Sequence, residues 1–284
     1  MSEFLQVMIL PFLACLILTS IHAYLGFHVI ERGVIFVDLA LAQIAALGTT
    51  IGFVMGLEPN STPSYWLALA FTFIGAVIFS VTRLQHSRVP HEAVIGSVYV
   101  VAAAAAILIL TQSHEGDEEL RNLMVGRLLF VHQADLIKIG LIYGAIGLIH
   151  WWARKPLLLI SQAPQEAFKR GMRVRLWDLL FYTSFGFVVT SSVELAGVLL
   201  VFAFLVVPSV CAAWLVHTIG RRLLLGWLLG VATSTAGITV SYVYDLPTGA
   251  TVVCAFGVCL LVCLLIRGLE LVKLHPHLVS ERPS

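Results

Sequence analysis

The 284-residue sequence predicts an all-α, polytopic membrane helix bundle, from its apolar excess, its long uncharged runs and the alternation of basic residues between them. Hydrophobic residues make up 59% of the chain and charged ones 12%. That leaves too little polar surface to cover a soluble globule of this size, so lipid must form part of the solvent. The formal net charge of +1 gives no basic footprint for nucleic acid.

A run of about 17 to 25 apolar residues reaches across roughly 30 Å of hydrocarbon at about 1.5 Å per residue. About nine such runs are present, near 4–27, 33–56, 66–83, 92–111, 133–152, 176–192, 196–216, 223–242 and 247–267. The first has Glu3 and no Lys or Arg ahead of it, unlike a signal-peptide n-region, so a retained span is expected. Pro208 is expected to kink the seventh. Basic residues set the orientation. One set of alternate connections carries Arg32, Arg83, Arg88, Arg154, Lys155, Lys169, Arg170, Arg173, Arg175, Arg221, Arg222, Arg267 and Lys273, whereas the opposite set holds little beyond Arg121 and Arg127. An external N-terminus, a cytoplasmic C-terminus and a single transmembrane domain over 1–284 follow as expectations.

The cysteines Cys15, Cys211, Cys254, Cys259 and Cys263 all lie in apolar runs without a CxxC pair, so they read as small core residues rather than a disulfide framework or a thiolate site. Two connections stand out. An external acidic loop at about 112–132 carries His114, Glu115, Asp117, Glu118 and Glu119, which serve either as a solvated loop or as hard-oxygen and imidazole attraction for divalent cations. A basic cytoplasmic segment at about 163–175 can form a short amphipathic helix after Pro164, or act only as a positive anchor.

Three stretches carry a family resemblance. SSVELAGVLLVFAFLVVPSVCAAWL, followed by GWLLGVATSTAGITVSYVYDLPTGATVV with its Tyr242–Gly249 turn, is similar to the C-terminal half of the zinc and manganese (ABC-3) ABC permeases. RNLMVGRLLFVHQADLIKI and APQEAFKRGMRVRLWDLLFY resemble the family's segment ahead of the fifth span and its cytoplasmic coupling helix, and RGVIFVDLALAQIAALG resembles its second span. The resemblance implies a permease subunit of an ATP-driven importer of divalent metal ions (zinc, manganese or iron) in the bacterial inner membrane. It implies a homodimer, a separate ABC ATPase subunit and an extracytoplasmic metal-binding protein, with zinc or manganese as cargo and no permanently bound cofactor. The chain has no GxxxxGK[ST] loop, so it is expected not to be an enzyme, and ATP hydrolysis falls to a partner. Gln165, Glu166, Ala167, Gly171 and Arg173 fall in the coupling helix by the same resemblance.

The second span departs from the family, whose members place an Asp and a His four residues apart on one helical face. Those positions are Leu39 and Gln43 here. Asp38 and Gln43, five residues apart, differ by roughly 140° around a helix and face different directions. His22 and Asp38 are equally distant in sequence from a turn near Ile30, so they can meet either as a relocated metal site or as a structural pair, with Gln43 lining the path or bonding across helices. Glu194 and Asp245 are candidates for a gate or metal entry with His114, or else for helix-terminal roles, Asp245 as a cap of the following helix. His275 and His277 form a weak metal-sensing candidate in the tail. A metal chelate or other small solute is the alternative cargo. A metal-dependent intramembrane enzyme would need a denser ligand set, and a secondary transporter would need internal symmetry.

Overall fold

A computed structural model of the chain describes residues 2–58, 61–83, 89–111, 124 and 126–274. Among these residues the fold is wholly helical. The elements are α1 (Ser2–Arg32), α2 (Val37–Val54), α3 (Thr62–Thr82), α4 (His91–Leu110), a 3₁₀ turn (Leu128–Phe130), α5 (Gln133–Trp152), α6 (Arg154–Gln162), α7 (Pro164–Lys169), α8 (Val174–Leu215), α9 (Ile219–Tyr244) and α10 (Thr248–Leu274). Eight of them are long and apolar enough to cross a membrane. His114 and the tail pair His275 and His277 lie outside the described residues, as does most of the acidic loop.

The expected runs and the helices agree closely except in α8, which spans 42 residues. Held straight it would extend about 63 Å, twice a hydrocarbon core. It breaks at Gly197, whose φ of 75° and ψ of 161° lie outside the helical region. Contacts with α1 show what the break does. Ser192 bonds His22, while one turn further along α1 Gly26 packs so closely on the Leu205 carbonyl and Ser209 that no Cβ would fit there. In a continuous helix Leu205 would stand about 20 Å beyond Ser192. The two limbs therefore fold back beside each other, at the boundary expected between the sixth and seventh runs. The break falls at Gly197 because glycine reaches this region without a Cβ clash, while Pro208 lies inside the second limb. The Arg127 amide bonds the freed Leu195 carbonyl at 2.9 Å, and Gly126 lies directly on the Ala196–Gly197 backbone. Buried main-chain groups are thus satisfied across the break.

α8 is the centre of the bundle: α1 packs on α8, α9 and α5, α2 packs on α3 and α4, and α10 packs on α8 and α9. Small residues bring helices close, as where Gly48 meets Ala68 and Gly75 meets Ile44. Aromatic rings fill the middle, among them Phe181, Tyr182, Phe185 and Phe204, the last edge-to-face with Phe256 at 5.0 Å.

The segment before α8 is compact. Pro164 opens α7 at its first turn, where its missing N–H costs nothing. Gly171, at φ 68°, closes it: the Met172 amide bonds the Ala167 carbonyl and the Gly171 amide bonds the Phe168 carbonyl, a complete Schellman cap. Ala167 is fully buried against Ile160 and Val174. Gln165 and Arg173 are exposed, and Glu166 pairs with Arg170 at 2.9 Å.

Candidate functional site

Polar side chains line the first limb of α8 from its Val174 end to Gly197, and together they reach α1, α3 and α5. Nearest the break, Glu194 pairs with Lys138 of α5 at 2.8 Å, and the Lys138 ammonium lies 4.2 Å from the centre of the Tyr65 ring. The Tyr65 hydroxyl bonds Ser191 at 2.8 Å. A cavity of about 380 Å³ borders Tyr65, Trp66 and Lys138.

One residue on, Ser192 joins three elements. It donates to the Val188 carbonyl at 2.5 Å, lies 2.6 Å from the Tyr143 hydroxyl and 3.3 Å from Nε2 of His22. The opposite nitrogen of His22, Nδ1, is 2.7 Å from the Leu18 carbonyl. A carbonyl can only accept, so Nδ1 carries the proton and Nε2 presents a lone pair. This is the arrangement in which a ligating imidazole is held by a backbone carbonyl. A cavity of about 400 Å³ between α1 and α5 ends on Tyr143.

Asp38 is 1% exposed, and neither carboxylate oxygen has a protein hydrogen-bond partner. Leaving a carboxylate so costs several kcal/mol unless a cation or proton compensates it, on the order of the penalty per buried ion. His22 and Asp38 make no hydrogen bond or ion pair with each other. The turn between α1 and α2 falls at 33–36, so Asp38 is the second residue of α2 while His22 lies well inside α1; both helices pack on α8, but α1 also packs on α9 and α5 and α2 on α3 and α4. The Tyr143 ring meets the His22 ring edge-on at 6.1 Å. Gln43 is buried, 6% exposed, and makes no side-chain hydrogen bond among the described residues.

Toward the Val174 end the chemistry changes. Asp178 is fully buried and accepts from Arg32 at 2.6 Å and from Arg83 at 3.1 and 3.2 Å. Arg32 also donates to Ser161 and stacks on Phe181, and His28 Nδ1 bonds Ser161. His150 bridges Tyr24 and Ser184. This cluster ties α1, α3, α6 and α8 together beside α7. Its two arginines against one aspartate make it unsuited to hold a cation.

At the far turn, Asp245 adopts the left-handed conformation, with φ 52° and ψ 46°, and closes α9 through its backbone. Its side chain does not cap the following helix; that junction is held by Ser241, which bonds the Leu246 carbonyl and Thr248.

The model of the ABC 3 transport family matches residues 4–267, nearly the whole chain. The chain belongs to the ABC 3 transport family. Among curated members, the manganese transport system membrane protein MntC of Halalkalibacterium halodurans is 28% identical over 250 residues, covering 84% of this chain and 80% of that one. The manganese import system permease protein ScaB of Streptococcus parasanguinis is 22% identical over 266 residues, covering 90% and 88%. The solved PsaBC structure from Streptococcus pneumoniae, in complex with a Fab, superposes with a TM-score of 0.76 at 20% identity, over 92% of this chain and 94% of that one. The fold of this ABC 3 transport family member is therefore shared, and the family resemblance of its motifs is borne out.

Within this family member, sequence reasoning had singled out His22, Asp38, Gln43 and Glu194, but not Ser192 and Tyr143 beside His22 or Lys138 beside Glu194. It also passed over His28, His150 and Asp178. These last three carried a usable signal, since an ionisable residue inside an apolar span is costly without a purpose.

Proposed function

We propose that this chain is the membrane-spanning permease subunit of an ATP-driven importer of divalent metal ions, zinc, manganese or iron, acting as a homodimer in the bacterial inner membrane. A separate ATPase subunit hydrolyses ATP, and an extracytoplasmic binding protein delivers the ion. One observation carries the reading of the cargo: Asp38 is buried within the bundle with both oxygens unpartnered, in a fold that also buries a neutral imidazole, His22, whose Nε2 offers a lone pair. Carboxylate plus neutral imidazole suits a borderline divalent cation. The family membership and the relatives named for manganese transport and import support the same class.

Nine crossings fit the folded-back α8, counted as two limbs with the seven other long helices. With the basic residues inside, the N-terminus lies outside and Glu194 near the external face, where its pair with Lys138 guards entry. Gln165, Glu166, Ala167, Gly171 and Arg173 form the coupling surface: the exposed Gln165 and Arg173 meet the ATPase, while Ala167 and the Gly171 cap fix α7 on α6 and α8.

Uptake measured in cells producing the chain with its ATPase tests this, using zinc, manganese and iron in competition. Wild type accumulates one of them, and Asp38→Asn and His22→Ala lose uptake at unchanged protein level, with a smaller loss for Gln43→Ala. Normal transport by Asp38→Asn refutes the site. Accumulation of a metal chelate but no free ion moves the cargo to the chelate.

A further inference from the structure

The bundle brings together three cysteines that are far apart in sequence. The sulfurs of Cys211, in the second limb of α8, and of Cys259 and Cys263, one turn apart on α10, all lie within 4.8 Å of one another. Cys211 and Cys263 are buried at 0% and 3% exposure, and all three are free thiols. The Thr233 side chain of α9 stands on the same cavity wall as Cys259. A cavity of about 730 Å³ between α9 and α10 borders both Thr233 and Cys259, so the cluster is open on one side.

We propose that Cys211, Cys259 and Cys263 form a three-sulfur site for a thiolate-preferring d10 cation of the Zn(II) or Cu(I) type, separate from the polar chain along α8. Soft thiolate ligands select such ions. With metal–sulfur bonds of about 2.3 Å, three sulfurs around one ion stand about 4.0 Å apart, so small side-chain rotations close the cluster. Cys259 and Cys263 share one helical face at i and i+4, which fixes two ligands on one rigid element. Low polarity around the site favours a neutral product. A divalent ion therefore displaces two thiol protons, giving two thiolates and one neutral thiol on the metal and releasing two protons to solvent. Occupancy ties the second limb of α8 to α10.

The site is independent of the transport reading, and its test needs no transport. The full chain, purified and reduced, is titrated with Cd(II) alone, read by the thiolate-to-metal charge-transfer absorption and by proton release. The expected result is one ion bound per chain, two protons released and a raised melting temperature. Cys211→Ser, Cys259→Ser and Cys263→Ser each weaken binding at least about 10-fold, while Cys15→Ser and Cys254→Ser leave it unchanged. The melting temperature of each variant without metal confirms folding. Absence of the absorption in reduced, folded wild type overturns the proposal. So does an absorption that survives Cys211→Ser and Cys263→Ser.

Discussion

Two aspartates are buried among the described residues, and they are held in opposite ways. Asp178 sits between Arg32 and Arg83 with its carboxylate fully engaged. Asp38 has no protein partner at either oxygen. A carboxylate that the fold neutralises with its own cations belongs to the fold. One that the fold leaves uncompensated is stable only if a proton or a cation completes it, and under the proposed function that cation is the cargo. The contrast divides the bundle into a self-neutralised cluster beside α7 and a buried, unpartnered carboxylate that the proposed function assigns to the ion.

The sharpest way to break this comparison is Asp178→Ala. It strands Arg32, which has no exposed side-chain surface, as an uncompensated buried charge. The expected loss is about 3–5 kcal/mol, seen as a lower melting temperature and reduced membrane abundance. A loss under about 1 kcal/mol would mean that Asp178 is not structural. Asp38→Asn should behave in reverse. Removing an unpartnered carboxylate leaves stability unchanged or raised, while uptake falls at least about 10-fold, the scale set by losing even an outer-shell partner of a metal. Equal effects of the two substitutions on stability would erase the distinction.

Ser192→Ala sharpens the boundary between the regions. It leaves the fully buried Tyr143 hydroxyl without its partner and frees the His22 ring from α8. About 1–2 kcal/mol of stability is lost, and uptake falls by a smaller factor than in Asp38→Asn because Ser192 orients a ligand rather than supplying one. Uptake falling below that of Asp38→Asn would make Ser192 the primary ligand.

Much of this was legible in the sequence, and the misses share a cause. Hydropathy and basic residues located every long helix, and 133–152 matched α5 to the residue, because lipid demands apolar length whatever the packing. The boundary at 192–196 fell on the Gly197 fold-back. The sequence centred the inner turn near Ile30; α1 instead runs on to Arg32, and α2 packs on α3, α4 and α8, so His22 and Asp38 do not bond each other directly. Tyr143, Lys138 and the Cys211–Cys259–Cys263 cluster depend on which helices become neighbours. Periodicity within one helix carries no record of that, and no CxxC spacing announces a site whose third sulfur comes from another element.

The smallest expected effect concerns Glu194→Gln at the other end of the same α8 limb. The Lys138–Glu194 pair is partly exposed, with side chains 40% and 24% accessible, so solvent screens most of its attraction. Its loss should cost between about 0 and 1 kcal/mol. Lys138 keeps its place over the Tyr65 ring, which holds the ammonium without the carboxylate. What changes is the field at the mouth. With the carboxylate gone, Lys138 is unneutralised beside the cavity at Tyr65 and Trp66 and repels an incoming cation, an effect that salt screens over about 10 Å at 0.1 M. Uptake by the variant should therefore be reduced modestly at low ionic strength and approach wild type as salt is raised, with the melting temperature nearly unchanged throughout. A deficit that salt does not relieve would make Glu194 a direct ligand, and the contrast between the neutralised Asp178 and the unpartnered Asp38 would then have to include a third carboxylate.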